Sequence, residues 1–312
     1  MPRFLARRVA TAVILLVVVT ALTFFLMSLV PDPTPAILGP GATAAQLAAK
    51  RHELGLDRPV VDRYGDWLAH ALRGDFGSSW FSGLPVWASI TDKLPITLSL
   101  AVVATLVSAV LGIALGMAAA IRRGWLDKAV QVVASLGFAV PGIWLGLLLV
   151  IAFALRLHWF PATGYVPFAQ DPWQWLRSLV LPVLSIAVGS VAAVAAQTRN
   201  AVASVLARDY VRTLRGRGLP RRRLLLRHVL RNSLPAALTI VSLQFIGLLG
   251  GAIVVEQIFA LQGLGTLAAS SATRSDVPVV LGVVVVGVVI VLAVNVVIDA
   301  LVGWMDPRAR TR

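Results

Sequence analysis

The sequence predicts an all-α integral membrane protein with six transmembrane helices. Of the 312 residues, 58% are hydrophobic and only 13% are charged, which is about half the charged share of a soluble domain. Six stretches without a charged residue reach the roughly 18 residues that a span requires. None shows the alternating polarity of a membrane β-strand. These stretches are residues 9–31, 94–121, 129–155, 178–198, 232–255 and 277–298.

The first span resembles a signal peptide in position, but its apolar run is too long for a signal core and no clear cleavage pattern follows it. We therefore expect a retained helix. Two shorter uncharged stretches, 33–49 and 257–273, contain prolines or glycines and are predicted to be loops.

The orientation follows from the lysines and arginines beside the spans. One side collects 19 of the 28, and ten of these lie between Arg199 and Arg231. This side is predicted to be cytoplasmic, which places both termini inside. The formal charge of +14 is accordingly attributed to membrane topology and not to nucleic-acid binding.

Two external segments are predicted. Residues 32–93 include an amphipathic helix at Arg58–Leu72, with Pro59 in its first turn. Residues 156–177 carry six aromatic side chains, which indicate an interfacial aromatic belt; the alternative is a docking surface for an external partner. These side chains are Trp159, Phe160, Tyr165, Phe168, Trp173 and Trp175.

The cytoplasmic loop 207–235 is predicted to hold two short helices. Asp209–Arg217 forms the first, with Asp209 as N-cap and Gly218 ending it. Arg221–Asn232 forms a second, amphipathic helix, and Pro235 then starts span five. Such a pair can dock into a groove of a soluble protein and transmit movement to spans four and five. The alternative is a basic loop that touches anionic lipid.

The second helix has two predicted faces. One is apolar and contains Leu224, Leu225, Val229 and Leu230, and the other contains Arg223, Arg227 and Arg231.

Catalytic chemistry is not indicated. There is no cysteine, no GxxxxGK[ST] phosphate-binding loop, and the four histidines have no metal-ligand spacing. We expect no enzyme activity, no catalytic residue, no metal site and no bound cofactor in this chain. The spans also lack the ionisable groups that ion-coupled carriers commonly place in mid-membrane.

Polar residues in or beside the spans are candidates for interhelical hydrogen bonds or for pore lining. Glu256 is a candidate for the external mouth or for a helix end-cap. Gly112 and Gly116, and the cluster Gly247, Gly250 and Gly251, predict close helix packing. The polar candidates are Gln197, Gln244, Asn295, Thr239, Ser185 and Ser190.

The segment DYVRTLRGRGLPRRRLLLRHVLRNSLP resembles the cytoplasmic "EAA" coupling loop of binding-protein-dependent ABC importer permeases, in its dipeptide/oligopeptide form. Gly218 fits the glycine of that loop, and Leu234 with Pro235 fits its Leu-Pro. Arg212, Thr213 and Leu214 occupy the three positions of the Glu-Ala-Ala sequence after which the loop is called EAA. Arg212 replaces an acidic residue and the following spacer is long, as in the peptide subgroup.

The resemblance extends over nearly the whole chain. Further matches are LGLDRPVVDRYGDWLAHALRGDFGSSW from Leu54, LPITLSLAVVATLVSAVLGIALGMAAAIRRGWLD from Leu94, PGIWLGLLL after Phe138, FPATGY at Phe160–Tyr165, EQIFALQGLG at Glu256–Gly265 and MDPR at Met305–Arg308.

The resemblance implies a type I ABC importer permease fold in a bacterial inner membrane. The expected parts are residues 1–93 (first span and external loop), 94–306 (permease core with coupling loop 207–235) and 307–312 (cytoplasmic tail). The implied partners are a second homologous permease in a heterodimer, two cytoplasmic ATP-binding subunits, in which ATP and Mg²⁺ act, an extracytoplasmic substrate-binding protein and membrane lipid.

The implied cargo is a dipeptide or short oligopeptide. Nickel chelates or glutathione remain alternatives, as do a stand-alone secondary carrier and a membrane scaffold or sensor. Candidate ATPase-coupling residues are Asp209, Tyr210, Val211, Arg212, Thr213, Leu214, Arg215, Gly218, Leu219, Arg227 and Pro235, and candidates for the pore or its external mouth are Gln244, Glu256 and Asn295.

Overall fold

A computed structural model describes residues 2–122, 124–139 and 141–305. Over these ranges the chain is helical and has no β-strand, only an isolated bridge between Ser78 and Pro85. Five helices are long and apolar enough to cross a membrane, and a bent pair gives a sixth if it counts as one span. The predicted all-α fold class is confirmed. The last three residues of the predicted MDPR motif, 306–308, lie outside the described residues.

The helices are α1 (Pro2–Ser28), α2 (Thr34–Leu38), α3 (Ala44–Glu53), α4 (Val60–Ala71), α5 (Val86–Ile121), α6 (Trp125–Ala139), α7 (Gly142–Arg156, π-helical over Val150–Arg156), α8 (Pro172–Leu206), α9 (Asp209–Gly216), α10 (Arg221–Ile258, π-helical over Leu224–Leu230), α11 (Leu264–Thr273) and α12 (Val277–Met305).

The chain forms two compact units. The first contains the residues up to Pro95 and the later segment Gln262–Leu292. A buried carboxylate orders this unit, because Asp276 accepts hydrogen bonds from the Ser79 hydroxyl (2.5 Å) and the Trp80 N–H (3.1 Å). The external segment is thereby fixed to the residues just before α12. The predicted boundary between 93 and 94 stays a prediction.

The second unit contains Ile96–Leu261 and the chain from Ala293 onward, and α8 lies at its centre. This helix packs against α6, α7 and α10. Its first turn is capped by Asp171, which accepts hydrogen bonds from the backbone N–H groups of Trp173 and Gln174. The core includes Leu100, Ala104, Leu179, Leu181, Ala187, Leu248 and Phe259.

Two glycines of α5 approach α8 closely. A Cβ on Gly112 would lie 2.6 Å from the Val194 Cβ, and one on Gly116 would lie 2.4 Å from the Ala195 carbonyl oxygen. The predicted close packing at this pair is confirmed.

The prediction for the glycine cluster of α10 is wrong within this chain. A Cβ on Gly247, Gly250 or Gly251 would meet nothing within 4 Å. These glycines are exposed in the isolated chain, and close packing within it does not explain them.

The predicted third span, 129–155, is not one straight helix. α6 and α7 are bent by 98° at a break that includes Pro141. Pro141 has extended backbone angles, φ −60° and ψ 134°, and precedes the first residue of α7. Proline has no N–H for the preceding turn and disfavours a helical residue before it, so counting uncharged residues overlooked this break.

Both predicted loops contain helices. Residues 33–49 include α2 and the start of α3, and residues 257–273 include α11. Thr43 and Gln46 form a capping box that starts α3. This helix-start signal was overlooked because the loop prediction considered only prolines and glycines. The helix predicted at Arg58–Leu72 is confirmed, but α4 begins at Val60. Pro59 is its N-cap residue, outside the first turn.

Candidate functional site

The helix α9 follows α8 after a short turn. Its N-cap is Arg208, without a side-chain hydrogen bond, so the prediction of Asp209 as N-cap is wrong. Asp209 is instead the first helical residue, where its carboxylate interacts favourably with the helix dipole. It lies 3.7 Å from the Arg212 guanidinium, and both side chains are largely exposed.

Gly218 ends this helix as predicted. Its φ is +75°, a conformation that costs other residues free energy. The Gly218 N–H donates to the Arg215 carbonyl (3.0 Å), and the Leu219 N–H donates to the Leu214 carbonyl (3.2 Å). Leu214 and Leu219 pack on the same apolar cluster. This pattern is a Schellman motif, which stops the helix and turns the chain sharply.

The helix α9 is amphipathic. Val211 is fully buried and packs with Ala120 of α5, with Val202 and Val205 of α8, and with Leu224 and Val229 of α10. Tyr210 and Leu214 are partly buried against the same cluster. One face of α9 is therefore held on the ends of three long helices. The candidate coupling residues on the exposed side are Asp209, Arg212, Thr213, Arg215 and Gly218.

The predicted second short helix is not separate. The chain from Arg221 runs without a break into the long apolar helix α10, and Pro235 lies inside that helix, so the prediction that Pro235 starts span five is wrong. Pro235 has no N–H for the carbonyls of the preceding turn. The carbonyl that loses its helical partner is that of Arg231, four residues earlier. The Ser233 hydroxyl donates to other carbonyls of this turn, those of Val229 and Leu230, at 3.0 Å each.

The two predicted faces of this segment are confirmed. Leu224 and Val229 are buried, and Leu225 and Leu230 are partly buried. The arginines of the other face, Arg223, Arg227 and Arg231, are exposed.

The sequence reasoning missed a polar link between α9 and α10. The Asn232 side-chain amide donates to the Tyr210 hydroxyl (3.0 Å) and to the His228 carbonyl (2.8 Å). No pattern marks this link, because its two residues are 22 positions apart.

A second missed pair joins α6 and α8. The Arg199 guanidinium donates two hydrogen bonds to the Asp127 carboxylate, at 2.8 Å and 2.7 Å. Both side chains are partly buried. Two parallel charge-assisted bonds fix the geometry of a pair more firmly than a single contact does. The signal available in the sequence was the position of both charges just outside predicted spans.

The three pore candidates have different surroundings. Gln244 accepts a hydrogen bond from Ser190 (3.2 Å) and lines a groove of about 500 Å³. Asn295 accepts a hydrogen bond from Ser242, which joins α10 to α12. Glu256 is fully buried and accepts a hydrogen bond from Thr97 (2.6 Å), which joins α10 to α5.

The groove beside Gln244 is lined mainly by small and apolar residues of α6, α7, α8 and α10. The placement of Gln244 fits a pore-lining role, and Asn295 and Glu256 fit interhelical hydrogen bonding; pore lining by all three stays a prediction. The polar and glycine residues of the groove are Ser185, Ser190, Gln244, Gly137, Gly142, Gly189, Gly247 and Gly251.

Two family models match the chain. Residues 112–311 match the model described as "Binding-protein-dependent transport system inner membrane component". Residues 1–101 match the N-terminal model of such membrane components.

Similar proteins are known in several bacteria. The chain is 41% identical over 312 residues to a peptide transport system permease protein of Brucella abortus (strain 2308), with 99% of each chain covered. It is 34% identical to the di/tripeptide transport system permease protein DppB of Pseudomonas aeruginosa, with 98% of each covered. It is also 34% identical to the glutathione transport system permease protein GsiC of Salmonella choleraesuis, with 99% of each covered.

A solved structure shares the fold. The chain matches a subunit of the MetNI methionine ABC transporter in an inward-facing conformation, with a TM-score of 0.55 and 17% identity. The match covers 70% of this chain and 96% of that one.

Proposed function

Because the chain belongs to the family of inner-membrane components of binding-protein-dependent transport systems, we propose that it is the membrane-spanning permease subunit of an ATP-driven importer of dipeptides or short oligopeptides. The observation that carries the cargo assignment is the 41% identity, over essentially the full length, to a peptide transport system permease. The mechanism rests on the geometry of α9.

The element α9 has the form of a coupling helix. Its buried face fixes it to α5, α8 and α10 through Val211 and the surrounding apolar cluster. Its other face, with Asp209 and Arg212, is largely free to enter a groove on a partner. A displacement of α9 would then move the ends of the helices on which it is seated. The continuity of α10 past Pro235 lets that movement reach the membrane interior without a joint.

The proposed assembly contains a second homologous permease, two cytoplasmic ATP-binding subunits and an extracytoplasmic binding protein. ATP and Mg²⁺ act in the ATP-binding subunits. The 19 lysines and arginines on one side of the spans support a cytoplasmic position for α9 and for both termini. Closure of the ATP-binding subunits would push on α9 and alternate the access of the pathway.

The groove that contains Gln244 is the best candidate for part of the pathway. Its residues carry no charge, so it offers a peptide polar contacts without a strong electrostatic hold. Specificity would then come from the binding protein, and the membrane subunit would act as a gate. Micromolar peptide binding by the permease alone would contradict this division of roles.

Glutathione is the second candidate cargo, because a relative of equal coverage is named as a glutathione permease. Glutathione is itself a tripeptide, so both cargoes are compatible with one pathway.

Proteoliposomes containing the permeases, the ATP-binding subunits and the binding protein would test the function. We expect uptake of a radiolabelled dipeptide only with hydrolysable ATP. Uptake of glutathione with no dipeptide uptake would select the second candidate. Uptake that continues with inactivated ATP-binding subunits would instead indicate a secondary carrier. Failure to import any of these peptides would contradict the cargo assignment.

A further inference from the structure

A second concave surface lies between α5, α6 and α8, next to the groove of Gln244, with which it shares Val188. This crevice has a volume of about 300 Å³. Three of the six residues that α8 contributes to it are alanines. Its lining is entirely Val, Leu and Ala: Val107, Leu111, Leu115, Ala129, Val130, Val133, Leu184, Ala187, Val188, Val191, Ala192 and Ala195.

The crevice is open at its rim. Leu111, Leu115 and Val133 expose 47%, 42% and 62% of their surface. An apolar recess left empty within a bilayer would lose the dispersion contacts of its lining. It therefore has to be filled by hydrocarbon or by another apolar surface.

One end of the crevice lies near the basic residues at the end of α5 and the start of α6. Ala129, in its lining, directly follows the exposed Lys128. Arg122, also exposed, lies seven residues beyond Leu115, or about 10 Å along the chain at the helical rise. The largely exposed Trp125 stands between these two charges in sequence. Tryptophan at such a position is typical of the membrane–water interface.

The local charge favours an anion. Asp127 is the sole acidic residue in the sequence between Lys93 and Gln170, and its carboxylate is bound by Arg199. Arg122 and Lys128 are thus not opposed by a free carboxylate within this segment. Basic residues beside helix ends attract anionic phospholipid headgroups.

We propose that this crevice binds one acyl chain of an anionic phospholipid, whose phosphate is held by Arg122 and Lys128. The apolar lining accounts for the acyl chain, and the two cations account for the headgroup charge. The site does not depend on the identity of the transported solute.

The absence of cysteine allows a direct test. A single cysteine in place of Val133 is labelled with a fluorophore in the full assembly, reconstituted with brominated phosphatidylglycerol or brominated phosphatidylcholine. We expect half-maximal quenching at a roughly tenfold lower mole fraction of the anionic lipid. The matched control is Leu136→Cys, on the same helix but outside the crevice and 58% exposed. Its fluorophore should show no headgroup preference.

The charge requirement is tested in the same Val133→Cys background. The double variant Arg122→Gln/Lys128→Gln should lose the preference for phosphatidylglycerol, and Arg217→Gln, which removes an exposed arginine after α9, should keep it. Equal quenching by the two lipids at position 133 would overturn the proposal. So would shielding from both lipids, which would show that a protein subunit covers the crevice.

Discussion

At the scale of single residues, Gly218 is a position where backbone conformation shapes the turn after α9, the proposed coupling helix. Its φ of +75° costs a residue with a Cβ about 1–2 kcal/mol. Gly218→Val should therefore distort the turn after α9 and lower the number of peptides imported per ATP hydrolysed several-fold. The measurement is the ratio of uptake to phosphate release in proteoliposomes.

Gly216→Ala is the matched control for that change. A Cβ at Gly216 meets nothing within 4 Å and its φ is not in the positive region, so coupling should be unchanged. Loss of Gly218→Val from the membrane fraction would mean that the glycine serves folding and not coupling.

The pair Asp127–Arg199 is the strongest described ion pair near a helix end. Hydrogen bonds to charged groups contribute about 1.5–3 kcal/mol, so Arg199→Ala should lower the thermal midpoint of the purified assembly by several degrees. Arg212→Ala breaks a pair whose side chains are 76% and 97% exposed, and it should change that midpoint little. A double-mutant cycle with Asp127→Ala that gives no coupling energy would contradict this prediction.

His52 and Asp57 provide a pH-dependent contact in the external segment. Asp57, at 2.7 Å, raises the pKa of His52 through a hydrogen bond and charge, and the pKa of Asp57 is lowered by the same hydrogen bond. The contact contributes its full stabilisation above the ordinary pKa of an aspartate and below the ordinary pKa of a histidine. Its stabilisation is lost as the pH rises through the raised pKa of His52.

The measurement for this contact is an NMR titration of the His52 imidazole. Asp57→Asn should shift the midpoint down toward the ordinary value of about 6.5. A midpoint unaffected by Asp57→Asn would show that the pair does not form in solution.

At the scale of helices, the close approach of α5 and α8 sets a steric limit. Gly116→Ala would place a Cβ 2.4 Å from the Ala195 carbonyl oxygen, on the backbone of a long helix that cannot easily move. Overpacking of this kind costs about 1–3 kcal/mol, so the yield of folded protein and its thermal midpoint should fall. Gly247→Ala, which meets nothing within 4 Å in this chain, is the control. Equal effects of the two changes would contradict the packing seen between α5 and α8.

The helices also show which features the sequence could predict. The absence of charge over long stretches located five spanning helices, and Gly218 located the end of α9. The break at Pro141 was missed because a count of uncharged residues ignores backbone geometry. The continuity of α10 was missed because a proline was taken to mark the start of a span, whereas Pro235 lies inside the helix.

The candidate site was also only partly predictable from the sequence. The amphipathic character of α9 can be read from its sequence, whereas the seating of Val211 depends on residues of α5 and α8 that are distant in the chain. Likewise, the sequence named Glu256 as a polar candidate but could not indicate that Thr97 binds it in a fully buried position.

At the scale of the whole molecule, the proposed function depends on how α9 would meet an ATP-binding subunit. The double variant Asp209→Arg/Arg212→Asp keeps an oppositely charged pair within α9 but reverses the charges that it presents. Its folding should be little affected, because the pair is exposed and the loss of the favourable Asp209–dipole interaction costs only about 0.3–1 kcal/mol. The charge pattern offered to an ATP-binding subunit would be mismatched, and like charges brought together at an interface oppose association.

We therefore expect normal amounts of this double variant in the membrane, with peptide uptake lowered at least about tenfold and ATP hydrolysis no longer stimulated by the loaded binding protein. The matched control is Lys50→Glu/Glu53→Lys in α3, where a partly exposed ion pair at the same spacing is reversed in the first unit. Because that helix belongs to the predicted external segment, coupling should stay intact. Normal uptake by the α9 variant would show that its exposed charges do not take part in docking, since the two variants differ mainly in which predicted side of the membrane carries the reversed pair.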